Sequence, residues 1–114
     1  MKLNDIVDKL KLQKHTKFGG EDFDIRWGYA SDLLSDVMGR AEAGSIWFTI
    51  QKHPNIVAVA TLKDLTAIIL TSDSKPDDET IAKADENGIP IYSTDFSTFE
   101  ACGILYELVK NNIE

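Results

Sequence analysis

The sequence contains a single cysteine, Cys102, and two histidines. One thiol cannot close an internal disulfide, and an iron–sulfur cluster normally needs four protein ligands. His15, His53 and Cys102 lie far apart in the chain, so zinc-ligand spacing is absent as well. No cofactor or metal is expected, and Cys102 reads as a small buried residue of a late helix. Basic residues are outnumbered, 12 Lys and Arg against 19 Asp and Glu, for a formal net charge of -7. An acidic surface repels phosphate backbones and anionic lipid, so neither a nucleic acid polymer nor a membrane is an expected partner. The acidity is spread along the chain, as on a solvated surface.

Long apolar runs are missing too. No stretch is long enough to span a bilayer. The start, MKLNDIVDKLKL, interleaves charges with apolar residues and lacks the apolar core of a signal peptide, which points to the cytoplasm. There is no G-x-x-x-x-G-K-[ST] phosphate loop and no G-x-S-x-G elbow. No Ser/His/Asp constellation can be argued from spacing, so catalysis is not the expected role.

What is present suits one globular domain over residues 1–114, with 43% hydrophobic and 27% charged residues. Leu3, Ile6, Val7 and Leu10 recur at helical spacing and predict a short helix over Asn4–Leu12. Phe18-Gly19-Gly20 reads as a turn. Phe23, Ile25 and Trp27 alternate with polar residues or glycine and predict a half-buried strand to Gly28. Ser31 is placed to cap the next helix, with Asp32 at its positive end, Leu33, Leu34, Val37 and Met38 toward the core, and Gly44 as a plausible C-cap.

A strand over Ser45–Ile50 comes next, broken by Gln51-Lys52-His53-Pro54-Asn55. Ile56–Leu62 is open to two readings. Its valines suit a strand, whereas its alanines and the nearby Pro54 suit a helix start, and the helix reading is favoured. Thr66–Leu70 reads as a buried strand and Thr71–Pro76 as a turn-forming loop. A helix over Asp77–Asn87 has Asp77, Asp78 and Glu79 at its positive end and Gly88 to end it. A short strand over Ile89–Tyr92 follows. Ser97 and Glu100 form a capping box opening a last helix to residue 110, with Phe99, Cys102, Leu105, Tyr106 and Val109 on one face. Strand and helix thus alternate from residue 45 onward. The fold class is α/β, a small mostly parallel sheet with flanking helices, having three parallel strands in its core and the strand near 23–28 extending it.

Ligands of open parallel sheets bind beyond the carboxyl ends of the strands. Three turns should meet there. The first offers Lys52, His53 and Asn55, the second Thr71, Ser72 and Asp73, the third Thr94, Asp95 and Ser97. The candidate ligand-binding residues are His53, Asn55, Thr71, Ser72, Asp73, Thr94 and Asp95. Each is also an ordinary cap or turn former. His15 lies in a polar stretch and carries no signal. Trp27 and Trp47 fall in strands and suit a core or a dimer interface.

The segments SDLLSDVM, HPNIVAVA, IILT with its following Pro-Asp helix start, and GIPIYST resemble the DRTGG domain family over about residues 28–108. They are most similar to stand-alone members found beside iron-only hydrogenase subunits, often labelled iron–sulfur-binding hydrogenase-related. The resemblance implies a domain like the N-terminal domain of HPr kinase/phosphorylase. It also implies an accessory or regulatory role, as in relatives within phosphate acetyltransferases and CBS-containing pyrophosphatases. After Ile69-Leu70-Thr71 the family often has Gly-Gly, and Ser72-Asp73 stands here instead. Three readings follow. One is a regulatory module sensing a nucleotide or phosphorylated metabolite, homodimeric and acting beside hydrogenase or redox-enzyme subunits. Another is an interaction or assembly protein with no small-molecule site. The third is a small enzyme using His53 as acid–base.

Overall fold

The computed structural model describes residues 1–112. Five strands form one sheet: β1 (Gln13–Lys14), β2 (Trp27–Ala30), β3 (Ser45–Thr49), β4 (Ala67–Leu70) and β5 (Ile91–Ser93). Their order is β1-β5-β4-β3-β2, with β2 through β5 parallel and β1 antiparallel on β5. Three helices connect the parallel strands, α1 (Leu34–Arg40), α2 (Asn55–Leu62) and α3 (Asp78–Asn87), and α4 (Thr98–Val109) follows β5. The α/β class and the parallel core of three strands are as expected, and β2 extends that core as a fourth parallel strand.

The central strands are buried on both faces, which is why they read as unbroken apolar runs. Trp47, Ile68, Leu70 and Ile91 pack against α1, α2 and α3 through Val37, Ile56, Val57, Ala60 and Ala84. Ile46, Phe48, Ala67, Ile69 and Tyr92 pack on the other side against α4 and the chain start, through Leu3, Ile6, Leu10, Ala101, Leu105 and Val109. Ile56–Leu62 is helical. A strand there would have needed a neighbour, whereas the helix puts Ile56, Val57, Val59 and Ala60 onto the sheet.

Several local expectations are corrected. Residues 4–12 do not form an α-helix. Leu3–Ile6 is a 3₁₀ turn closed by the amides of Asp5 on Lys2 and Val7 on Asn4, while those of Leu3 and Asn4 reach the carbonyls of Phe23 and Glu21 at 2.9 and 3.0 Å. The apolar spacing still holds, since Leu3, Ile6 and Leu10 are fully buried. The strand near 23–28 begins only at Trp27. Upstream, Asp24 bridges Lys2 and the Ile25 amide bonds to Met1, so this stretch pairs with the chain start and not with β3.

Ser31 does not cap α1. Its hydroxyl accepts from the Leu33 amide at 3.2 Å, within a turn that delays the helix to Leu34. Leu33 and Met38 face outward, since α1 makes two turns and buries Val37. Gly44 is not a helix C-cap. It turns the chain into β3 at φ +83, where a Cβ would stand 2.8 Å from the Arg26 side chain. The last strand starts at Ile91 rather than Ile89, after Pro90. Its predecessor helix ends as expected, on Gly88 in the left-handed region. The α4 capping box forms, with the Ser97 hydroxyl accepting from the Glu100 amide at 3.2 Å. Phe99 and Tyr106, however, lie outside the core face that carries Leu105 and Val109.

Candidate functional site

Because β2 to β5 run parallel, their carboxyl ends share one side of the molecule, and the three expected turns meet there. The β3–α2 turn is tied to the β4–α3 loop: the Ser74 hydroxyl donates to the Ile50 carbonyl at 2.9 Å, and the Lys52 carbonyl accepts from the Asp77 amide and the Thr80 hydroxyl. The β4–α3 loop is tied in turn to the β5–α4 loop. The Ser72 amide donates to Phe96 at 2.8 Å and the Asp73 amide to Thr94 at 3.1 Å. Those two amides are therefore spent on the neighbouring loop and do not point at a ligand.

The seven candidate residues divide by burial. Thr71 and Thr94 are buried and hold backbone together. The Thr71 hydroxyl bonds that of Thr98, and the Thr94 hydroxyl donates to the Leu10 carbonyl at 2.7 Å. His53, Asn55, Ser72, Asp73 and Asp95 are exposed. His53 Nδ1 accepts from the Asn55 amide at 3.1 Å, so the ring caps α2 and a neutral imidazole carries its proton on Nε2. Asn55 lies on a separate groove between α2 and α3, of about 350 Å³, with Pro54, Leu62, Lys83 and Asn87. Ser72, Asp73 and Asp95 remain together. The Lys75 ammonium, 3.2 Å from the Asp73 carboxylate, holds it below the usual carboxylate range, with a smaller contribution from Asp95.

Two groups at these strand ends escaped the sequence reading. Asp32, expected at a helix start, instead accepts from the Thr49 hydroxyl at 2.7 Å and the Ile50 amide at 2.9 Å, and so fixes the end of β3. His15, Ser93 and Lys75 form the other. Ser93 is fully buried, and its hydroxyl lies 2.7 Å from His15 Nε2 and accepts from Lys75 Nζ at 3.1 Å. Lys75 also reaches Gln13 at 3.2 Å. Burial and the facing ammonium lower the His15 pKa. No signal in the sequence could have found this cluster, because it depends on β1 folding back onto β5. Among the described residues, no three His, Cys, Asp or Glu side chains stand close enough to hold a metal ion.

A larger cavity of about 430 Å³ lies elsewhere, between β2 and α4, lined by Trp27, Gly28, Phe48, Phe99, Cys102 and Tyr106 among others. It is apolar and contains none of the expected contact residues. Burial raises the Cys102 pKa.

The family model of the DRTGG domain matches residues 30–108. The chain belongs to the DRTGG domain family. Among solved structures, this DRTGG domain is similar to the CBS and DRTGG domains of the regulatory region of Clostridium perfringens pyrophosphatase, complexed with its activator, diadenosine tetraphosphate. The likeness has a TM-score of 0.70 at 17% identity, covering 99% of this chain and 50% of that one, and it establishes the shared fold. The DRTGG chain thus spans half the length of that neighbour. No curated protein matches it. No helix among its described residues is long and apolar enough to cross a membrane.

Proposed function

We propose that the chain is a non-catalytic regulatory module that senses a nucleotide or another phosphorylated metabolite at the carboxyl ends of its parallel strands. It acts in the cytoplasm as a homodimer beside a redox enzyme such as a hydrogenase. The observation that carries the ligand reading is the meeting of three interlocked turns whose outer side chains, Lys52, His53, Ser72, Asp73 and Asp95, stand exposed to solvent. Lys52 and His53 supply donors for phosphate. Ser72, Asp73 and Asp95 supply acceptors for ribose hydroxyls and base N–H groups. The Clostridium perfringens regulatory region, complexed with a nucleotide activator, supports the ligand class. Because each turn is bonded to the next, a ligand that shifts one moves α2, α3 and α4 together.

Thermal unfolding in the presence of adenosine mono-, di- and triphosphate, diadenosine tetraphosphate and acetyl phosphate tests the reading. A ligand at a hundred times its Kd adds about 2.7 kcal/mol, a midpoint rise on the order of ten degrees. No rise with any of them at millimolar concentration overturns it. A second reading, an assembly factor without a small-molecule site, is favoured by the apolar cavity beside α4. It predicts no ligand shift, together with retention of hydrogenase subunits by the tagged chain.

A further inference from the structure

We infer that a second copy of this chain docks on the outward face of α4, as an antiparallel helix pair centred between Cys102 and Gly103. This rests on the homodimer reading above and gives it a place. Ala101, Leu105 and Val109 occupy the buried face of α4. Phe99, Gly103, Tyr106 and Lys110 follow one another three or four residues apart and make a second, exposed stripe, with the half-buried Cys102 along its edge. Phe99 is 88% and Tyr106 53% exposed. The Trp27 indole braces Tyr106 edge-on, with ring centroids 5.6 Å apart. A Cβ built at Gly103 would meet nothing within 4 Å, so the stripe has an open notch at its middle.

The occupant follows from the symmetry of the stripe. A two-fold interface presents the same patch on both sides. An antiparallel pair about the Cys102–Gly103 midpoint sets Phe99 against Tyr106 of the second copy, and Cys102 against its Gly103. The small residues at the centre let the axes approach to about 8 Å. The charges also match. Lys110 falls opposite Asp95 of the second copy, and Glu107 opposite its Thr98, at the positive end of the facing helix. At about 150–250 Å² per ring, scaled by exposure, the four aromatic rings supply about half of the roughly 1,200 Å² at which stable interfaces begin. The adjoining cavity mouth supplies further apolar surface.

The mass of the full chain in solution, followed over a concentration series, tests this with Gly103→Arg as the variant. Arginine at an exposed helical position improves helix propensity, so the variant folds. The expected result is a wild-type dimer and a variant dissociation constant raised at least ~10-fold, with unchanged circular dichroism. Lys110→Glu should weaken the dimer and Asp95→Lys should restore it in the double variant. A wild-type dimer that survives Gly103→Arg overturns this interface and leaves the homodimer reading standing. A wild-type monomer at every concentration overturns both. The ligand reading is separable, because Gly103→Arg lies away from the strand-end turns and should keep the full thermal shift.

Discussion

The His15 imidazole is packed against β5 with Ser93, Lys75 and Gln13 around it and Asp73 beyond Lys75. Its folded pKa is lowered, first by burial and then by the Lys75 ammonium. The unfolded chain therefore binds more protons there than the folded one below about pH 6.5. This contribution to stability is complete above that pH and is lost as pH falls below it. The thermal midpoint should fall between pH 7 and pH 5.5, and His15→Asn should shrink that fall. An identical slope in the variant would count against the assignment. A separate loss is due below about pH 4, where Glu21, Asp24, Asp36 and Asp73 give up the Lys14, Lys2, Tyr29 and Lys75 partners that depress their pKa values. His53, the histidine that stands out in the sequence, is a helix cap, and the one without a local signal sits in the half-buried cluster on Ser93. Residue type and neighbours suggest what a side chain can do. Whether it is free to do it depends on partners up to 84 positions away, as in the Thr94 bond to Leu10.

Among the elements, the β4–α3 loop carries the clearest trace of the family pattern. Ser72 and Asp73 occupy the left-handed region at φ 55 and 61, where relatives often have glycines. Holding a non-glycine residue there costs about 1–2 kcal/mol, and glycine gives back part of that gain through the freer unfolded chain. Ser72→Gly should leave stability unchanged or raise it by up to ~1 kcal/mol. Gly88→Ala, at φ 68 on the end of α3, should lower it by about 1 kcal/mol. Urea midpoints of the two variants check the contrast, and a clear destabilisation by Ser72→Gly would contradict it. The ends of α3 and α4 were legible, since Gly88 and the Ser97–Glu100 box both act as read, whereas Ser31 and Gly44 around α1 do not. The chain start was not, because Leu3 and Asn4 bond to Phe23 and Glu21 while the amides that follow close turns of mixed spacing, Asp5 on Lys2, Leu10 on Ile6 and Leu12 on Val7.

The whole molecule is one sheet with a cluster on each face, and every central strand contributes to both. Removing either cluster exposes the same strands, so the two cannot melt separately. Tryptophan fluorescence and far-ultraviolet circular dichroism should give coincident urea transitions. Ile46→Ala on one face and Val57→Ala on the other should each move that single transition, by roughly 2–5 and 1–3 kcal/mol. Split transitions would contradict the shared-strand account.

The class, the parallel core and its helical crossovers could be read from the amino acids alone. Strands buried on both faces must be apolar throughout, and helix ends must satisfy their own backbone groups nearby. Both constraints are local and leave local traces. Long-range packing settled the rest: the antiparallel β1, the late start of β2, the outward turn of Phe99 and Tyr106, and the His15–Ser93–Lys75 cluster. An edge strand of two polar residues, or the choice between two apolar stripes of one helix, is decided by which surface arrives to meet it. That information belongs to the assembled sheet and not to any stretch of the chain.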